Sequence, residues 1–471
     1  MKKKQLRWTL WTIASPFILF IILCILIYLP PIQNFLVDKA AVYASEATGM
    51  NISVGRISLS FPLNLVVTDV DAASPHKDTL LSVRRLQVNV QLLPLLKKQV
   101  EVDGISLQGA TVNSNDLIHG MRLNGTLGEL FISSHGVALD PETAIVNKVL
   151  LKDTDLSLCL NDTAAADTAA SDPTYWKIIL QDIDLQNVSF ALDMPLDSLS
   201  LAASLDNATL RDGLIDLHKS AYSLQTFRIK NGRVRYDSGR PSATASADSL
   251  SAGLDPSHIA LTDIGVKLDS LYYEGRNMKA VISQFVLKER SGVEIVSTEG
   301  RLVSNDKVLR VPSLKLETRD SYLELNAAMD WDALDFKKEG LVSARLMADI
   351  GKPDVVRFMG SMDEKFIRKY PSEPLRIRTG IDGDLNKLKL TTLTAELPGA
   401  LELFAKGELT SLTDSLLRGG DITLQAETKD LKFISTLAEG IEIPYGTRLE
   451  GKFTMAGPKM GTDLLLMQPD R

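Results

Sequence analysis

The chain has 471 residues and a net charge of −7, from 52 basic and 59 acidic side chains. The two signs are interspersed and no basic patch lies beyond the first residues, which excludes a nucleic-acid surface. Two cysteines, Cys24 and Cys159, exclude a disulfide framework, and 45% apolar content with only 6% aromatics favours many short strands over one aromatic-filled core.

Residues 1–7 carry Lys2, Lys3, Lys4 and Arg7, and read as a basic cytoplasmic tail. Residues 8–29, WTLWTIASPFILFIILCILIYL, hold no charge. At ~1.5 Å per residue such a run crosses a hydrocarbon layer of ~30 Å. The run exceeds the ~7–15 apolar residues usual for a cleaved signal core, so an uncleaved anchor is the expectation. The positive-inside rule then places the remainder across the membrane. Residues 30–49 read as an amphipathic helix through Ile32, Phe35, Leu36, Ala40 and Tyr43, stopped at Gly49.

From Ile52 onward the apolar period changes to two. Residues 50–160 form a first β region, with alternation over Ile57–Val67, broken by Pro62, and over Leu86–Leu92. Residues 161–173, NDTAAADTAASDP, read as a linker. Alternation resumes over 174–471, interrupted by helical spacing near 354–369 and 430–438. The last residues, Asp463-Leu-Leu-Leu-Met-Gln, read as part of a further strand, so a longer protein is expected.

A short pattern recurs at irregular spacing. Ile105-Ser-Leu-Gln-Gly-Ala-Thr-Val112 has apolar residues at its first, third and eighth places and Gly at its fifth. Ile183–Phe190 and Phe227–Val234 repeat it with Asn187 and Asn231 at the fifth place, and Ala203–Leu210 is a weaker copy. Gly or Asn there supplies a left-handed or bulged residue between two strand arms.

No phosphate loop, dinucleotide turn, zinc motif or nucleophile elbow occurs. The histidines at 76, 119, 135, 218 and 258 are scattered, Asp382-Gly-Asp384 reads as a turn, and Asp182, Asp184 and Asp193 read as the solvent face of a strand. Neither an enzyme nor a cofactor is implied.

A strand with one apolar face must bury it against a second sheet, a helix or a ligand. Few helices are available here, and bounded sandwich units of about 100 residues are not evident. The expected fold is therefore mainly β: one anchor helix, then an elongated curled sheet with an open apolar trough suited to acyl chains. Leu59, Phe61, Leu63, Leu65, Leu86, Val88, Val90, Ile183 and Leu185 are the candidate wall residues, with plain core residues of a closed sandwich as the alternative.

The basic tail and anchor, Val37–Val70, Asp78-Thr-Leu-Leu81, Leu92-Leu-Pro-Leu-Leu96 and Val102–Gly109 together resemble the AsmA/TamB family of Gram-negative envelope proteins, in the style of its Bacteroidetes members. The resemblance covers the first 110 or so residues. It implies an inner-membrane, single-pass protein with a periplasmic β-groove of the bridge-like lipid-carrier kind. It further implies phospholipid movement towards the outer membrane, or assembly of outer-membrane proteins with a TamA-like barrel partner. An anchored multi-sandwich binding protein is the third reading. The characteristic TamB C-terminal domain is not found in these residues.

Overall fold

The computed structural model describes residues 39, 41–42, 45–46, 49–60, 63–74, 79–91, 102–114, 120–138, 142–161, 175–239, 253–335, 338, 340–359, 364–384, 386–412, 416–436 and 444–468. The anchor expected at 8–29 lies outside them. Residues 39, 41–42 and 45–46 are helical, within the helix expected after the anchor. Among the described residues no helix is long and apolar enough to cross a membrane.

The protein is mainly β and divides into two compact units, 1–208 and 209–471. In the first unit, β1 (Asn51–Ser60), β2 (Asn64–Ala73), β3 (Thr79–Val90), β4 (Val102–Asn113), β5 (Met121–Ala138) and β6 (Thr143–Leu160) pair in chain order, all antiparallel. The Ile57–Val67 alternation is thus a hairpin, with Leu59 opposite Leu65. β7 (Lys177–Met194) joins β6 in parallel. A parallel neighbour needs the chain to cross back. The linker expected at 161–173 stands between these two strands in the chain, and 162–174 lie outside the described residues.

β8 (Leu199–Asp216) runs through the division between the units. In the second unit β9 (Ala221–Leu224) and β10 (Thr226–Ser238) both pair with β11 (His258–Glu274). An antiparallel succession follows: β12 (Asn277–Glu289), β13 (Glu294–Ser304), β14 (Val308–Thr318), β15 (Tyr322–Asp330) and β16 (Val342–Ile350). It continues through β17 (Leu375–Gly383), β18 (Lys387–Leu397), β19 (Leu401–Thr410), β20 (Gly419–Thr428), β21 (Arg448–Ala456) and β22 (Lys459–Met467). Several of these hairpins close through short turns. Asp384 shows the device: its Oδ1 accepts from the backbone N–H of Asn386 and Lys387 at 2.7 and 2.6 Å.

The helical spacing near 354–369 resolves into α1 (Lys352–Phe358) and α2 (Glu364–Lys369). Pro353 suits the first turn of α1. The pattern expected at 430–438 gives only a 3-10 turn, Ile434–Thr436, within the described residues. These pieces make a hydrophobic cluster: Phe366, Tyr370, Leu397, Ala400, Leu431 and Phe433, flanked by Val355, Leu375 and Leu401. Its rings meet edge-on, Phe366 to Phe433 at 5.7 Å and Tyr370 to Phe433 at 5.2 Å. Burial lifts the Tyr370 phenol pKa above its ordinary value. Leu375, Leu397 and Leu401 sit at strand ends, so the cluster covers one end of the β17–β19 face rather than filling a sandwich.

Candidate functional site

Directly opposed residues in a ladder share a face. The register of the first unit therefore assigns the candidate wall. Leu59, Leu65, Val88, Ile105, Ile132, Val149 and Ile183 form one transverse row across β1–β7. Ile57, Val67, Leu86, Leu107, Leu130, Leu151 and Leu185 form the next. Six of the nine predicted wall residues fall in these two rows. Val90 is on the same face of β3, opposite Val102. Leu63 is in the β1–β2 turn, where its carbonyl accepts from the Val90 N–H at 3.1 Å. Phe61 lies outside the described residues.

The opposite face is mostly polar, although one of its rows holds Val66, Phe131 and Leu150 beside Ser58, Gln87, Ser106 and Asp184. Arg56, Thr68, Arg85, Gln108, Glu129, Lys152 and Gln186 make one row of it. The two faces differ because each strand alternates, and because the alternation changes parity at one place on every strand. On β1 the apolar residues are Ile52 and Val54, then Ile57 and Leu59. Between them Gly55 and Arg56 are both exposed. The change of parity falls at a row of residues omitted from regular pairing: Gly55, Asp69, Arg84, Gly109, Gly128, Asp153 and Asn187.

Four of these seven are left-handed: Asp69 (φ 53°), Gly109 (φ 62°), Asp153 (φ 50°) and Asn187 (φ 50°). A left-handed residue re-aims the strand. Set side by side, they form a transverse crease. The extra residue on each strand is on the polar side. Close approach at the crease leaves no room for a side chain on Gly128, where a Cβ would sit 2.8 Å from the Asp153 Cβ.

Beyond the crease the apolar face continues as Val54, Val70, Val83, Ala110, Leu127, Thr154 and Val188. In this row Val83 is 7% exposed, Ala110 9% and Thr154 2%, and Ala72 in the next row is also buried, at 6%. The two rows that contain the predicted wall residues are half-buried throughout. A second sheet facing them would bury such Leu and Ile side chains fully.

In the second unit, the row Leu316, Leu323, Ala348, Ile377, Ala395, Leu403, Ala426, Leu449 and Leu466 marks an apolar face across β14–β22. Its neighbouring row, on the other face, carries Asp349, Arg376, Glu396, Glu402, Glu427 and Arg448. Surface ion pairs tie it together, Arg376 to Glu396 at 3.4 Å and Arg448 to Glu427 at 3.3 Å. Pairs this exposed add little stability but keep the face polar.

No protein-family model matches the chain, and no curated protein matches it. The site thus rests on its own geometry. Among the described residues no group of His, Cys, Asp and Glu could hold a metal, and Cys159 is a free thiol.

The recurring sequence pattern marked left-handed strand residues at Gly109 and Asn187 in the crease, and separately at Asn231 on β10 of the second unit. It missed the Asp versions. Leu65–Ala72, Val149–Leu156 and Ile259–Val266 carry the same apolar spacing with Asp69, Asp153 and Asp263 at the fifth place. Asp tolerates the left-handed region much as Asn does. The weak copy at Ala203–Leu210 is five residues out of step, since the positive φ recorded for β8 is at Asp212, within Ala208–Ile215.

Proposed function

We propose that the chain is an inner-membrane-anchored, periplasmic lipid carrier of the AsmA/TamB kind. In this reading residues 8–29 hold it in the inner membrane, and the apolar sheet faces carry phospholipid acyl chains towards the outer membrane. The observation that carries the reading is the row from Leu59 to Ile183. Seven strands present apolar side chains in one line, half-buried, against an outer face on which Arg, Gln, Lys and Glu outnumber the apolar Val66, Phe131 and Leu150. Apolar surface left accessible on this scale marks an interaction site. A row without specific polar contacts suits hydrocarbon, which has no hydrogen bonds to satisfy. Head groups then stay at the wet strand ends.

The test is crosslinking in Gram-negative cells. A photoreactive side chain at Leu65, Val88 or Leu185 is expected to capture phospholipid, and one at Gln87 or Ser106 on the outer face is not. Crosslinks from the apolar positions only to protein would overturn the reading. Capture of an outer-membrane barrel protein instead, together with indifference to polar substitutions on the face, would establish the assembly role.

A further inference from the structure

We draw no further inference here: the strongest candidate, the exposed apolar patch Leu464–Met467 on β22, carries nothing because nothing in the structure shows what covers it.

Discussion

Asn187 donates its side-chain amide to the Asp153 carboxylate at 2.9 Å, across the parallel pair β6–β7, and both residues are left-handed with φ of 50°. Each supplies the backbone conformation that the crease requires, and each satisfies the other's polar group. A β-branched residue fits neither need. Asn187→Val is expected to cost about 1–3 kcal/mol, from the left-handed strain and the lost hydrogen bond. Asn187→Gly loses only the side-chain bond and relieves strain, so it should fall within about 1 kcal/mol of the parent. Urea unfolding of the three proteins checks the order. Equal loss in both variants would mean the backbone conformation at 187 carries no cost.

Much of this arrangement is legible in the sequence because strand alternation is a local signal. Leu86, Val88 and Val90, or Ile183 and Leu185, declare their common face without any knowledge of the partner strands. Gly109 and Asn187 declare the crease, and Asn231 a left-handed position on β10, because those residue types tolerate positive φ. The Asp residues at 69, 153 and 263 do not declare themselves, since Asp on a strand reads equally well as solvent-facing. The helical cap is harder still. Leu431 and Phe433 lie more than 60 positions beyond Phe366 in the chain, and only the antiparallel return of β17–β20 brings them together.

The half-burial of Leu185 separates an open face from a closed core. Leu185→Asp on an open face places a carboxylate where water can reach it, and is expected to cost about 1–2 kcal/mol. Between two sealed sheets the same change would cost about 4 kcal/mol or more. Thermal unfolding monitored by circular dichroism distinguishes the two. In the carrier reading the same variant loses phospholipid capture at neighbouring Val149 while remaining folded. A collapse of the fold would return the molecule to the sandwich class.

Phe366 is the anchor of the helical cap, only 2% exposed and in ring contact with Tyr370 at 5.6 Å and with Phe433 at 5.7 Å. Truncation removes most of the cluster's aromatic contact. Phe366→Ala is expected to cost about 3–5 kcal/mol. The damage should be local. Amide exchange is expected to rise through α1, α2 and the ends of β17–β19, and to stay unchanged in β3–β6 of the first unit. Uniform exchange across both units would show that they unfold as one.

Asp354, 1% exposed, fixes the first turn of α1 to the sheet. Its Oδ2 accepts from the Ser321 hydroxyl at 2.6 Å and from the Thr318 hydroxyl, and its Oδ1 pairs with Arg357 at 3.0 Å. Arg357 also reaches Asp320 at 2.9 Å, so one guanidinium joins the helix to the β14–β15 turn. Removing the carboxylate takes an acceptor from two half-buried hydroxyls, whereas removing Arg357 leaves a buried charge. Both are costly, at about 2–4 kcal/mol each, with the Arg357 share reduced because that side chain is about a quarter exposed. The double variant Asp354→Ala with Arg357→Ala should then lose about 1–2 kcal/mol less than the sum of the singles, because the second removal no longer leaves a partner unpaired. A double-mutant cycle by urea unfolding measures that difference. Strict additivity would mean that the two side chains hold the helix independently and that the 3.0 Å contact contributes nothing to the cap.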